Sequence, residues 1–126
     1  MFDEKLVATA NALVGHCRAG TERQGLEELY APTAVSIEAA EMNPEMGRIT
    51  EGRDAISAKH DWWDDSTEVH SFTADGPYLH EADRFGVIFE ADVTMKASGE
   101  RWQMKEIGIY TVADGKIVRE EFYFTT

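Results

Sequence analysis

The chain has 126 residues, which is enough for one domain with a single buried core but too few for two. Its 24 Asp and Glu residues against 12 Lys and Arg give a formal net charge of −12. This charge repels nucleic-acid phosphates and anionic lipid surfaces, so we expect neither nucleic acid nor a membrane as a partner.

The N-terminus and the single cysteine add two expectations. Charged residues precede the first apolar stretch, and no apolar run reaches the length of a signal or transmembrane segment, so a cytoplasmic protein is expected. The lone Cys17 excludes an internal disulfide. It falls on the apolar side of a predicted helix and is interpreted as a buried, inert thiol.

Two amphipathic helices are predicted at the start of the chain. Residues 3–18 carry apolar side chains at helical spacing, and Gly20 follows as a stop signal. The second helix begins at Thr21, which forms a capping-box pattern with Gln24, and it ends before Pro32.

A short strand at 34–39 and a long loop at 40–52 lead into a third helix at 53–65. Loops of this length in small domains often serve as lids or binding loops. On the third helix Ile56, His60 and Trp63 recur at helical spacing and therefore share one face.

From residue 67 apolar residues recur with period two, which predicts strands at 67–74, 84–97, 101–113 and 116–126. Turn signals follow the first three of them, at Asp75-Gly76-Pro77, Ser98-Gly99 and Asp114-Gly115. Helices followed by an antiparallel meander predict one α+β domain over residues 1–126. Its three N-terminal-half helices would pack on the concave face of a cone-shaped, curved antiparallel sheet, around a pocket.

Alternation along the strands assigns side chains to that pocket, because successive residues of a strand point to opposite faces. Glu120 and Glu121 are adjacent, so one of them must face inward, and the parity of Phe122 favours Glu120. Val118 shares that parity. The predicted pocket residues are Leu13, Ser36, Trp63, Phe85, Val87, Phe89, Ala91, Trp102, Met104, Tyr110, Phe122 and Phe124.

The order of elements, with LEELYAPTAVSIEA, EGRDAI, DRFGVIFEADVT and YTVADGKIVREEF, resembles the nuclear transport factor 2-like superfamily. Its SnoaL-like and ketosteroid-isomerase-like small proteins look closest. The resemblance implies a cone-shaped α+β fold and frequent homodimerisation through the outer sheet face. It also implies a pocket that members use for isomerisation, aldol cyclisation, dehydration, epoxide opening or plain binding, so the fold alone does not determine the function.

The resemblance carries over to single residues. Glu38 falls where ketosteroid isomerases carry the carboxylate base that moves a proton next to a carbonyl. Leu13 stands where those enzymes place a hydrogen-bonding Tyr, and only Glu106 could replace their second acid donor, as a carboxyl kept protonated by apolar surroundings. The Arg and two Asp of limonene epoxide hydrolases are replaced here by Phe89, Ala91 and Phe122, so that chemistry is not expected.

The candidate catalytic residues are Glu38, Glu106, Glu120 and His60. Three carboxylates in one apolar pocket cannot all stay ionised, so at least one pKa should rise toward neutrality. Alternatively, the glutamates reach the rim of the pocket or pair with Arg48, Arg53 or Arg101. His60 is either a proton shuttle in the pocket or one half of a surface pair with Asp64.

The four histidines lack the spacing of metal sites, and neither a metal nor a cofactor is expected. The expected function is binding of a small apolar, oxygen-bearing ligand. Acid–base chemistry would follow if Glu38 takes a proton next to a carbonyl while protonated Glu106 holds the oxygen. The alternative is a non-catalytic ligand-binding or dimerisation module of the same fold, which the Leu at position 13 favours.

Overall fold

The computed structural model describes residues 1–125. Its three helices are α1 (Glu4–Ala19), α2 (Glu22–Leu29) and α3 (Arg53–Ser66). Its six strands are β1 (Tyr30–Ile37), β2 (Ile49–Glu51), β3 (Thr67–His80), β4 (Arg84–Met95), β5 (Arg101–Ala113) and β6 (Lys116–Phe124). The predicted α+β class with three helices is confirmed, while Thr126, the end of the last predicted strand, lies outside the described residues.

The first helix has the caps that its flanking residues predict. The carboxylate of Asp3 accepts hydrogen bonds from the amides of Lys5 at 2.9 Å and Leu6 at 3.1 Å. The helix ends at Gly20, whose φ of 71° is a left-handed conformation that glycine adopts without strain.

The second helix ends before Pro32, as predicted, but its N-terminal cap differs from the prediction. The Thr21 hydroxyl lies 2.7 Å from Nδ1 of His16 and makes no capping bond, so the capping box does not form. The helix ends at Leu29, and Tyr30 already begins β1, so Pro32 lies inside a strand.

The sheet has the order β2-β1-β6-β5-β4-β3. Strands β3 to β6 form the predicted antiparallel meander, but β1 joins β6 in parallel, so the sheet is mixed. The predicted loop at 40–52 contains the short strand β2. The predicted turn at Asp75-Gly76-Pro77 is not formed, because pairing with β4 resumes after a register shift and β3 continues to His80.

A second irregularity changes which residue of β6 faces inward. Thr111 pairs with Arg119, yet Val112 pairs with Ile117, so Val118 is the extra residue of a β-bulge. Ile117 is therefore fully buried in the core position that simple alternation assigned to Val118.

The hydrophobic core lies where α1 crosses the sheet. From α1 it contains Leu6, Ala10, Leu13, Val14 and Cys17, and from the sheet Phe85, Val87, Phe89, Tyr110, Val112 and Ile117. The rings of Phe85 and Tyr110 stack with centroids 4.8 Å apart. Helix α1 covers only this end of the concave face, and an unfilled volume remains beyond it. None of the helices in the described part of the chain is long and apolar enough to cross a membrane.

Candidate functional site

A cavity of about 200 Å³ lies between α3, the loop after β1 and the concave face of the sheet. Its apolar wall consists of Met42, Met46, Trp62, Trp63, Val69, Phe72, Phe89, Ala91, Val93, Met104 and Phe122. Its ionisable groups are Glu38, Lys59, His60, Glu106 and Glu120. A mostly apolar, aromatic wall with a few converging polar groups is typical of a small-molecule site.

The structure brings the four catalytic candidates together on this wall. Of the predicted pocket residues, Trp63, Phe89, Ala91, Met104 and Phe122 also line it. Leu13 and Tyr110 line an adjoining compartment. Contact of any of these residues with a ligand stays a prediction.

The other predicted pocket residues do not line the cavity, for different reasons. Phe85 and Val87 lie under α1, where the core is already filled. Trp102 and Phe124 lie near strand ends, and Phe124 is exposed. Ser36 is fully buried behind Glu120.

Glu120 is the inward residue of the glutamate pair and is almost completely buried, with 2% of its surface exposed. Parallel pairing places Ser36 of β1 opposite Glu120, and the Ser36 hydroxyl donates a 3.0 Å hydrogen bond to its Oε2. The Tyr30 hydroxyl donates to its Oε1. Burial and the charge of Glu120 raise the pKa of Tyr30 well above 10, so this hydroxyl stays a donor.

Lys59 connects this network to Glu38. Its Nζ lies 2.7 Å from Oε1 of Glu38 and also donates to Oγ of Ser36. The same ammonium lies 5.8 Å from the ring centroid of Phe122, within the range of a cation–π contact. The result is one hydrogen-bonded chain of five side chains: Tyr30, Glu120, Ser36, Lys59 and Glu38.

Sequence reasoning missed Lys59, although its position carried a signal. It stands three residues after the buried Ile56 and four before Trp63, so it shares their face of α3. The arginines considered as partners for the carboxylates bind elsewhere. Arg48 and Arg53 donate to backbone carbonyls, and Arg101 pairs with Asp92 on the exposed side of β4.

Glu106 differs from the other two carboxyls. It lies on β5 opposite Phe89. Within residues 1–125 its side chain takes no part in the hydrogen bonds that hold Glu38 and Glu120. Burial, helped by the charges of Glu38 and Glu120 and opposed by that of Lys59, raises the pKa of Glu106 from 4.5 to about 7. A carboxyl in this range can both accept and donate a proton near neutral pH.

His60 also lines the cavity and does not form the surface pair considered with Asp64, which binds Arg23 at 2.9 Å instead. Burial lowers the pKa of His60 below 6.5, so its imidazole is neutral at neutral pH. No group of three or more His, Cys, Asp or Glu side chains within residues 1–125 is arranged to hold a metal ion. Carboxyl, imidazole and ammonium groups in such a cavity can transfer protons and stabilise developing charge.

Comparison with known proteins identifies the family. The model of the SnoaL-like domain matches residues 19–124. A crystal structure from Mesorhizobium loti, named as a candidate SnoaL-like polyketide cyclase, is 36% identical, with a TM-score of 0.86 over 94% of this chain and 97% of that chain. None of the curated proteins compared with the chain matches it.

Two more distant crystal structures show the fold alone. A nuclear transport factor 2-like protein from Burkholderia xenovorans is 17% identical, with a TM-score of 0.75 over 98% of this chain and 91% of that one. A candidate isomerase from Bacillus subtilis is 22% identical, with a TM-score of 0.66 over 97% and 84% of the two chains.

Proposed function

The chain belongs to the SnoaL-like domain family, and we propose that it binds a small, largely apolar carbonyl compound and transfers a proton from the carbon next to the carbonyl. The observation that carries the proposal is Glu106, a cavity-facing carboxyl with a pKa of about 7 beside two carboxyls that are already hydrogen-bonded. The name of the 36% identical structure, a candidate SnoaL-like polyketide cyclase, agrees with this coarse class of reaction.

In the proposed reaction ionised Glu106 takes a proton from the carbon next to the carbonyl, and negative charge develops on the carbonyl oxygen. The Lys59 ammonium has three N–H donors, of which Glu38 and Ser36 receive two. The third is available to the oxygen as charge builds up. Glu106 then returns its proton to another carbon of the ligand, so no external acid, base or cofactor is consumed.

This assignment differs from the expectation that Glu38 is the base. The Oε1 atom of Glu38 is engaged by Lys59, so taking a proton there would break the ion pair. Among residues 1–125 Glu106 has no ion pair to lose. In the proposal Glu38 therefore holds Lys59 in place, and Glu106 transfers the proton.

A second candidate function is ligand binding without catalysis. It is supported by Leu13, which is 5% exposed and supplies no hydrogen bond where ketosteroid isomerases place a Tyr. The two functions differ in what Glu106→Gln should do. A proton acceptor is lost entirely in this variant, whereas a binding contact is only altered.

The first step of the test is a thermal-shift series with cyclic enones, aryl ketones and polyketide-like aromatics. Any compound that stabilises the protein is then incubated in D₂O, and exchange of the protons next to its carbonyl is followed by NMR. We expect Glu106→Gln to slow exchange by roughly 10²- to 10⁴-fold, the usual effect of losing a general base. Glu38→Gln is the matched control and should slow it less.

The proposal fails if Glu106→Gln exchanges protons at the rate of the unmodified protein. Binding without exchange in the unmodified protein would support the non-catalytic function instead.

The expected homodimer stays a prediction. Ile107, Ile109 and Tyr123 lie on the sheet face turned away from the cavity, and sedimentation equilibrium would measure the oligomeric state.

A further inference from the structure

A second compartment adjoins the cavity on the side of α1 and α2. It has a volume of about 530 Å³, and Leu13, Cys17, Leu26 and Tyr110 form its inner wall. These four side chains belong to the buried core cluster, so the inner wall is apolar. Exposed residues at the start of α2 and the end of α3 line its outer part, which therefore opens to solvent.

The two compartments share a wall. Eight residues line both of them, among them His60, Trp63, Phe89, Phe122 and the two carboxyls Glu106 and Glu120. Glu106 therefore lies at the junction. An apolar volume extends from it in two directions, one toward Met42 and Met46 and the other toward Leu13 and Leu26.

The volumes limit what each compartment can hold. A dry cavity of roughly 150 Å³ accommodates benzene, so the first compartment, at about 200 Å³, has room for one ring. The second is larger and can take another ring or a chain. At its mouth Arg23 pairs with Asp61 and Asp64, Arg18 donates to the Ala74 carbonyl, and Glu22 adds one more carboxylate. None of these contacts calls for a charged end on the ligand.

We propose that the ligand is an elongated ketone whose carbonyl lies in its interior, with one apolar arm in each compartment and the carbonyl beside Glu106. The inference rests on the proposed function and adds the substrate class. A carbonyl at the end of the molecule would leave one apolar compartment unfilled and would forfeit the hydrophobic contribution of that wall.

The test uses two isomers of equal composition. In 1,3-diphenylpropan-2-one the carbonyl lies between two rings, whereas in 4-benzylacetophenone it lies at one end. Binding is followed by NMR of the ¹³C-labelled methyl groups of Met42 and Met46 in the first compartment and of Leu13 and Leu26 in the second. We expect 1,3-diphenylpropan-2-one to change the chemical shifts of both sets of methyl groups. It should also bind about tenfold more tightly than its isomer, a difference of about 1.4 kcal/mol.

Two variants each reduce the volume of one compartment. Leu13→Phe narrows the second and Ala91→Leu the first, because Ala91 lines only the first. Each should weaken binding of 1,3-diphenylpropan-2-one about tenfold, or about 1.4 kcal/mol. Phenylacetone, which has one ring, should lose affinity in only one of them.

The chemical-shift changes of the methyl groups in the unmodified protein test the inference even if a variant does not fold. The inference is overturned if the Leu13 and Leu26 methyls do not move at saturation, if the two isomers bind equally, or if the central ketone does not bind. All these readouts measure binding, whereas the proposed function fails on proton exchange in Glu106→Gln. The two failures are therefore distinguishable.

Discussion

The ammonium of Lys59 and the carboxylate of Glu38 lie 2.7 Å apart in the cavity wall, where their side chains are only 15% and 19% exposed. This pair connects α3 to the end of β1. It also places a positive charge beside a cavity that three glutamates line. A partly buried ion pair of this kind makes each partner costly to remove alone, because the other charge stays behind uncompensated.

We expect Lys59→Met to lower the free energy of unfolding by about 3 kcal/mol, measured by urea denaturation. The same change should raise the pKa of Glu106 above about 7, because the Lys59 charge lowers it in the unmodified protein. A ¹³C NMR titration of the Glu106 carboxyl measures that shift. Lys105→Met, on the exposed face of β5, is the control and should change neither quantity by much. An unchanged or lower Glu106 pKa in Lys59→Met would contradict the electrostatic account of the site.

Glu106 should make the protein less stable as the pH rises. Its pKa is higher in the folded chain, about 7, than the ordinary value of 4.5, so between these values the folded state binds more protons than the unfolded state. Stability then falls as the pH rises through this window, by about 3 kcal/mol from this group. The variant Glu106→Gln cannot ionise. The free energy of unfolding of Glu106→Gln, relative to that of the unmodified protein, should therefore increase from pH 4.5 to pH 7 and then level off.

Urea denaturation at a series of pH values checks this difference. Glu90→Gln, an exposed substitution on the opposite face of the sheet, serves as the control and should give a profile parallel to that of the unmodified protein. If Glu106→Gln also gives a parallel profile, folding does not raise the pKa of Glu106, and the electrostatic basis of the proposed role is wrong.

Tyr30→Phe should destabilise the fold by roughly 1–3 kcal/mol, because it removes one of two hydroxyl donors from a carboxylate that is 2% exposed. Tyr110→Phe is the matched control. Tyr110 is buried on the neighbouring strand, but its hydroxyl does not take part in the hydrogen bonds that hold Glu120 within residues 1–125. Thermal denaturation of both variants compares their stabilities. Equal losses of stability would show that the hydrogen bond from Tyr30 does not stabilise the fold.

Gly108→Ala should destabilise the protein by roughly 1–3 kcal/mol through overpacking. A Cβ at this position would lie 3.0 Å from the Phe122 ring and 3.2 Å from that of Phe89, both of which line the cavity. Gly15→Ala makes the same chemical change on α1, where nothing lies within 4 Å, and should stabilise by about 0.5–1 kcal/mol. A stabilised Gly108→Ala would show that the two rings move aside freely.

Much of the architecture follows from local patterns in the sequence. Period 3.6 locates α1 and α3, and period two places Phe89, Glu106 and Glu120 on one face of the sheet, because these periods depend only on neighbouring residues. Local patterns fail where long-range pairing intervenes. The bulge at Val118 and the continuation of β3 past Pro77 depend on partner strands that local patterns do not specify.

The α+β class, the three helices and the inward parity of Glu106 and Glu120 therefore follow from the sequence alone. Which carboxyl stays outside the hydrogen bonds among residues 1–125 depends on tertiary contacts. Glu120 receives one of its two hydrogen bonds from Tyr30, 90 residues away, and Glu38 meets Lys59 across 21 residues. The pKa of Glu106 depends on burial and on charges that are close in space, and these distances exist only once the chain has folded.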